Sequence, residues 1–207
     1  MKTTKLPHFI VIEGIDGSGK DTLARELRDY FASRGIKINL TANPSKSKTG
    51  RLIRKMLQGK KPLPKEKHGL CKLFVQGRAD GVRNFIKPRL KHGKYIVCVR
   101  FVLSSLAYGM LNMPYDDILA LDTKIAADGL ITPGVTILLD LPPEEGLQRV
   151  SGRKNPEFFE KIETLKKVRS NYLFLIQKHP SGVAVIDASQ SRTKVFRAAV
   201  AAINKYK

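Results

Sequence analysis

The chain has 207 residues, enough for one domain with a substantial core, and its 42% hydrophobic content is ordinary for a soluble globular protein. Its longest apolar runs are strand-length and its polar opening lacks the apolar centre of a signal peptide, which excludes a spanning helix and points to the cytoplasm. The formal charge of +20 comes from basic residues dispersed along the whole chain, a pattern of surface solvation and phosphate attraction rather than of nucleic-acid binding.

The first predicted element, a strand over 8–13, breaks into Gly14-Ile15-Asp16-Gly17-Ser18-Gly19-Lys20. Gly14, four intervening residues, Gly19 and Lys20 have the spacing of a phosphate-binding P-loop. Glycines let the backbone curl so that successive N–H groups converge on one anion. The helix that follows, opened by Asp21 and Thr22, adds the positive end of its dipole. Lys20 then reaches the β and γ phosphates of a nucleoside triphosphate. Leu23, Leu27, Tyr30 and Phe31 mark one face of this helix, and Gly35 ends it.

A second strand at 36–41 leads into a stretch, 42–49, predicted to be mobile. A long helix is predicted over 65–90, with Pro88 kinking or shortening its end. Next come a strand at 95–99, helices at 104–110 and 115–127, and a strand at 135–141. Helices at 142–152 and 156–178 flank a second mobile stretch, and a strand at 183–187 and a helix at 191–205 close the chain. Alternating strands and helices predict an α/β fold: a three-layer α/β/α sandwich around a five-stranded parallel sheet, of the P-loop NTPase type. Ligands then sit at the carboxyl ends of the strands. No linker divides the chain, so 1–207 reads as a single domain. Cys71 and Cys98 are isolated, lack metal-ligand spacing and read as two reduced thiols.

A P-loop alone does not choose a reaction. Small size, and arginines at 54, 78, 100, 149 and 153 near predicted element ends, favour a small-molecule kinase, because guanidinium forks hold phosphate oxygens bidentately. Several segments then resemble the thymidylate kinase (dTMP kinase) family over most of the chain. They are the run from Ile10 to Lys20, Leu73-Phe74-Val75-Gln76-Gly77-Arg78, and Val99-Arg100-Phe101 with Ser104-Ser105-Leu106-Ala107-Tyr108. Phe85-Ile86-Lys87-Pro88, Leu147-Gln148-Arg149-Val150-Ser151-Gly152-Arg153 and Ile186-Asp187-Ala188-Ser189 complete the set.

The resemblance implies ATP-dependent phosphorylation of dTMP to dTDP with Mg²⁺ in a homodimer. It also implies roles. Phe74 would stack on the thymine ring, with Arg78 one turn later at the base edge and Ser105 helping to read it. Tyr108 would crowd the ribose 2′ position, Arg54 and Arg100 would hold the acceptor phosphate, and Asp16 would bind the acceptor sugar or an arginine. Residues 149–158 would form a lid carrying the catalytic Arg153, supported by Arg149. The 187–189 loop would lie against adenine or, equally, cap the last helix.

Two departures bear on the metal. The family usually has Ser or Thr after the P-loop lysine, where this chain has Asp21, and an acidic residue where this chain has Val99. Asp21 is therefore expected to supply a relocated carboxylate for Mg²⁺, with Glu13 or Asp140 as other oxygen donors if it only caps the helix. Thr41-Ala42-Asn43-Pro44 also lacks the charged residue that many relatives carry near the proline. Two other readings stay open: a kinase for another nucleotide or nucleoside, and a weakly active or non-catalytic nucleotide-binding relative.

Overall fold

The computed structural model of the chain describes residues 5–66, 68–126, 131–152, 159 and 161–205. Strand β1 (Lys5–Glu13) is followed by helix α1 (Lys20–Ala32), β2 (Ile38–Ala42), α2 (Lys48–Leu57) and α3 (Gly69–Gly81). A π-helical turn (Val82–Ile86) joins α3 to α4 (Lys87–Lys91), before β3 (Tyr95–Val99), α5 (Val102–Gly109) and α6 (Tyr115–Ala126). The order ends with β4 (Thr132–Asp140), α7 (Pro143–Val150), α8 (Ile162–Lys178), β5 (Val183–Asp187) and α9 (Arg192–Lys205).

The strands form one parallel sheet in the order β2-β3-β1-β4-β5. β1 is central and covered on both faces, which is why Phe9-Ile10-Val11-Ile12 is apolar without alternation. Ile10 and Ile12 pair with Val97 and Val99 of β3 and with Val135 and Ile137 of β4. These six share one apolar layer with Leu23, Leu27 and Phe31 of α1. Phe9, Val11, Ile96 and Cys98 face the other way, against Val82 and Ile86 of the π-helical turn. The expected five-stranded parallel α/β architecture is thus present.

The helix expected from 156 starts at Ile162, with Phe159 in a turn and Lys161 in a bend before it, and the helices depart from expectation in two further places. Residues 42–49, predicted to be mobile, form a hydrogen-bonded turn: the Asn43 N–H donates to Val99 O at 2.9 Å, and Ser45 and Ser47 join their hydroxyls at 2.9 Å. Ser47 Oγ then caps α2 by accepting from the Gly50 N–H at 3.1 Å. That helix is absent from the sequence reading because the serines just before it, with its own threonine, glycine and lysines, look like loop composition. The long helix starts at Gly69 instead of 65, and Pro88 does not end it. Just before the proline the winding loosens, with the Lys87 N–H bonding back to Val82 O, which makes room for a ring that would press on the preceding turn.

Candidate active site

Adjacent strands deliver the two halves of the site. β1 ends at Glu13 and runs into the P-loop, while β3 ends at Val99 and runs into Arg100, whose N–H donates to Ile12 O at 2.8 Å. The loop needs glycine where φ is positive, +141° at Gly14 and +83° at Gly17. A Cβ on Gly14 would lie 2.6 Å from Leu139 O, and one on Gly17 would collide with the backbone of Gly146 in α7. Ile15 and Ser18 are buried, and Lys20 Nζ donates to Ile15 O at 2.6 Å and to Ser18 Oγ at 3.5 Å. Burial, reinforced by Arg100, pulls the Lys20 ammonium down to a pKa of about 7 against the opposing pull of Asp16, Asp21 and Glu13.

Arg100 is the hub. Its backbone has a φ of +64°, unusual for a residue with a side chain. Its guanidinium donates to Asp16 Oδ1 at 2.6 Å and Gly14 O at 3.2 Å, and sits 4.9 Å from the Tyr108 ring centre. Tyr108 donates to Asp16 Oδ2 at 3.2 Å. Burial would raise the Asp16 carboxyl, but Arg100 and Lys20 outweigh it and hold the pKa at about 2. Behind Arg100, the buried Glu13 carboxylate accepts from the N–H groups of Phe101 (2.7 Å) and Ser104 (3.2 Å) and from the Ser104 and Tyr172 hydroxyls. Those bonds pin the turn that carries Arg100. Burial, then Glu13, pushes the Tyr172 hydroxyl well above its ordinary value.

Two clefts meet at this cluster, and Asp16, Asn43, Pro44, Leu57 and Arg100 line both. The polar cleft presents Gly17, Gly19, Lys20, Asp21, Thr22, Arg25, Arg54, Val99 and Arg149. The apolar cleft presents Leu70, Cys71, Phe74, Phe101, Ser105, Tyr108, Asn112 and Phe159. The sequence-predicted residues therefore divide by chemistry: phosphate-type cations in one cleft, aromatic rings in the other.

Arg78 is placed differently from its neighbours. Its head lies behind the apolar cleft, 1% exposed, paired with Asp122 of α6 and donating from Nε to Ser105 Oγ at 3.3 Å. Arg149 donates to Ala188 O at 3.1 Å, tying α7 to the 187–189 loop. The Asp187 carboxylate in that loop is occupied by Ser189 and Gln190, as a local turn cap is. Arg153 and most of the expected lid lie outside the described residues, but Arg149 on one side of it faces the polar cleft and Phe159 on the other faces the apolar one. The Phe159 ring meets Tyr108 edge-on at 5.0 Å between centres.

Of the carboxylates considered for a metal, Glu13 is bonded as above and Asp140 is held bidentately by Arg169 at 2.7 and 2.9 Å. Asp21 opens into the polar cleft and has no side-chain hydrogen bond or ion pair among the described residues. Those residues contain no ready-made cluster of three metal-ligating side chains. Sequence reasoning missed Arg25, Asn43, Asp122 and Phe159. Asn43, beside Pro44, was the one with a local signal, and it donates from its amide to Arg100 O at 2.9 Å.

A family model described as thymidylate kinase matches residues 12–199. A probable thymidylate kinase of Thermococcus onnurineus is 38% identical, with 94% of this chain and 96% of that protein covered. The thymidylate kinase of Protochlamydia amoebophila is 34% identical over 97% of this chain and 94% of its own. That of Clostridium novyi is 32% identical over 91% and 94%. With a family model matching residues 12–199 and likeness along nearly the whole length, the chain belongs to the thymidylate kinase family.

Proposed function

We propose that this chain is an enzyme that transfers the γ-phosphate of ATP to dTMP, forming dTDP. One observation carries the reading: a cation-lined cleft and an aromatic-lined cleft meet at Asp16 and Arg100, so a nucleotide in each would bring its phosphates to the same point. The P-loop amides and Lys20 hold the donor phosphates. Arg54 and Arg100 hold the acceptor phosphate, and Phe74, Ser105 and Tyr108 enclose its nucleoside. The acceptor oxygen is already anionic, so catalysis needs alignment and charge neutralisation and no strong base. Arg149, and Arg153 in the lid, would cover the transferring group. A single domain over 1–207, a homodimer and a cytoplasmic location are part of the same proposal.

Mg²⁺ fits the donor set of the polar cleft through one side chain, the unengaged Asp21 carboxylate, with phosphate oxygens and water filling the remaining positions. When bound, it would neutralise charge on the donor phosphates. Asp21→Ala should weaken Mn²⁺ binding to the enzyme with a non-hydrolysable ATP analogue by about tenfold, read by electron paramagnetic resonance. Unchanged Mn²⁺ affinity would remove Asp21 from the metal site. The acceptor is tested with a coupled assay across dTMP, dUMP, UMP, CMP, AMP and GMP. dTMP should lead dUMP by about tenfold or more in kcat/KM, the scale of one methyl group in a fitted pocket, and comparable rates on all six would refute the proposal.

A further inference from the structure

The ion pair behind the apolar cleft is chemically odd. Arg78 and Asp122 are 1% and 2% exposed, one from α3 and the other from α6. Taking two opposite charges out of water costs several kcal/mol per ion, so apolar residues of similar size usually link two helices at least as well. Burial raises the Asp122 carboxyl despite the guanidinium beside it. The pair also leaves something undone. Arginine has five N–H donors. Nε donates to Ser105 Oγ, Nη2 bonds Asp122, and Nη1 is buried with no acceptor among the described residues. A buried donor without a partner is itself destabilising.

The surroundings indicate where an acceptor comes from. Ser105, which takes the Nε proton, lines the apolar cleft, as does Phe101, whose ring centre is 5.3 Å from Arg78 Cζ. Phe74, one helical turn before Arg78, lines it too. A base stacked in the cleft thus contacts the same Ser105 and Phe101 that the guanidinium touches.

We propose that Asp122 is a positioning residue for base selection. It anchors Nη2 so that the guanidinium keeps Nη1 unspent for an oxygen acceptor on the base. A guanidinium only donates. Held in that orientation it accepts thymine or uracil, which carry a carbonyl oxygen where cytosine carries an amino group, and it rejects cytosine, whose amino group would face donors across a dry contact. The proposal rests on the dTMP-kinase reading and adds to it a residue that touches no substrate.

The test uses three variants of the full chain: Asp122→Asn, Arg78→Met and the double variant Arg78→Met/Asp122→Leu. KM for dTMP, KM for ATP, the dTMP-to-dCMP ratio of kcat/KM, and Tm are measured for each. Asp122→Asn should raise KM for dTMP and lower the dTMP-to-dCMP ratio, each by about tenfold, with KM for ATP unchanged. Arg78→Met should do the same, and the double variant should fold with near-normal Tm yet remain unselective. If Arg78→Met loses selectivity while Asp122→Asn keeps it, Asp122 only cross-links helices and the proposal falls, while the base-reading role of Arg78 stands. If Arg78→Met keeps selectivity, base reading by Arg78 fails and the proposal falls with it. Should Asp122→Asn not fold, Asp122→Ser with Arg78 kept decides: folded with a lowered dTMP-to-dCMP ratio supports the proposal, folded and fully selective overturns it.

Discussion

Lys20 is the residue whose chemistry depends most on what surrounds it. Its spacing after Gly14 and Gly19 identifies it in the sequence, but only burial beside Arg100 brings its pKa to about 7. At about pH 8 such a group is mostly neutral in the free protein, and phosphate oxygens brought into contact raise its pKa. Nucleotide binding should therefore take up a proton, and affinity should fall as pH rises from 7 towards the pKa of the complex. Calorimetry at about pH 8 in buffers of different ionisation enthalpy should record uptake of about 0.5–1 proton per ATP analogue, absent in Lys20→Met. Zero uptake by the unmodified protein would mean that Lys20 is already charged before the ligand arrives. Asp16 titrates far below this range, its pKa held at about 2, and does not contribute.

Among the elements, the P-loop and α7 pack against each other backbone to backbone. Gly17 meets Gly146 there, and a Cβ on Gly146 would lie 2.7 Å from Asp16 O. α7 closes one wall of the polar cleft through Arg149 and Val150, so the loop's curvature and the lid-side helix are set by the same contact. Gly17→Ala adds a left-handed-backbone penalty of about 1–2 kcal/mol to that collision. It should lower Tm and weaken ATP-analogue binding by about tenfold or more, since the amides lose their convergence. Wild-type affinity in a folded Gly17→Ala protein would show that the loop tolerates a separated α7. The element that eluded the sequence, α2, brings Arg54 to the same cleft and ties it to Pro44 O. Arg54 was identified without the helix that carries it, because a motif needs only spacing, whereas a short basic helix shows itself by which face is buried.

For the whole molecule, the charge of +20 has a focus. The polar cleft gathers Lys20, Arg25, Arg54, Arg100 and Arg149 against Asp16 and Asp21. A concave cationic site attracts polyanions over a distance that salt shortens, from about 30 Å at 0.01 M to about 8 Å at 0.15 M. KM for both nucleotides should thus rise several-fold, on the order of 3–10-fold, between low and physiological salt, with kcat changing little. Flat KM values across that range would assign the charge to the outer surface alone. No helix among the described residues is long and apolar enough to cross a membrane.

The order of the strands, most of the helices, the parallel sheet and the phosphate loop could be read from residue patterns. Each depends on near neighbours in the chain: an unbroken apolar run, a glycine spacing, an apolar helical face. Phe74, Arg100 and Tyr108 were named from short motifs for the same reason. The partnerships between distant segments could not be read that way. Arg78 reaches Asp122 across 44 positions, Asp16 reaches Arg100 across 84, and Glu13 reaches Tyr172 across 159. Such contacts arise from sheet register and helix packing, and they set the protonation of Lys20, the orientation of Arg100 and the fate of each carboxylate.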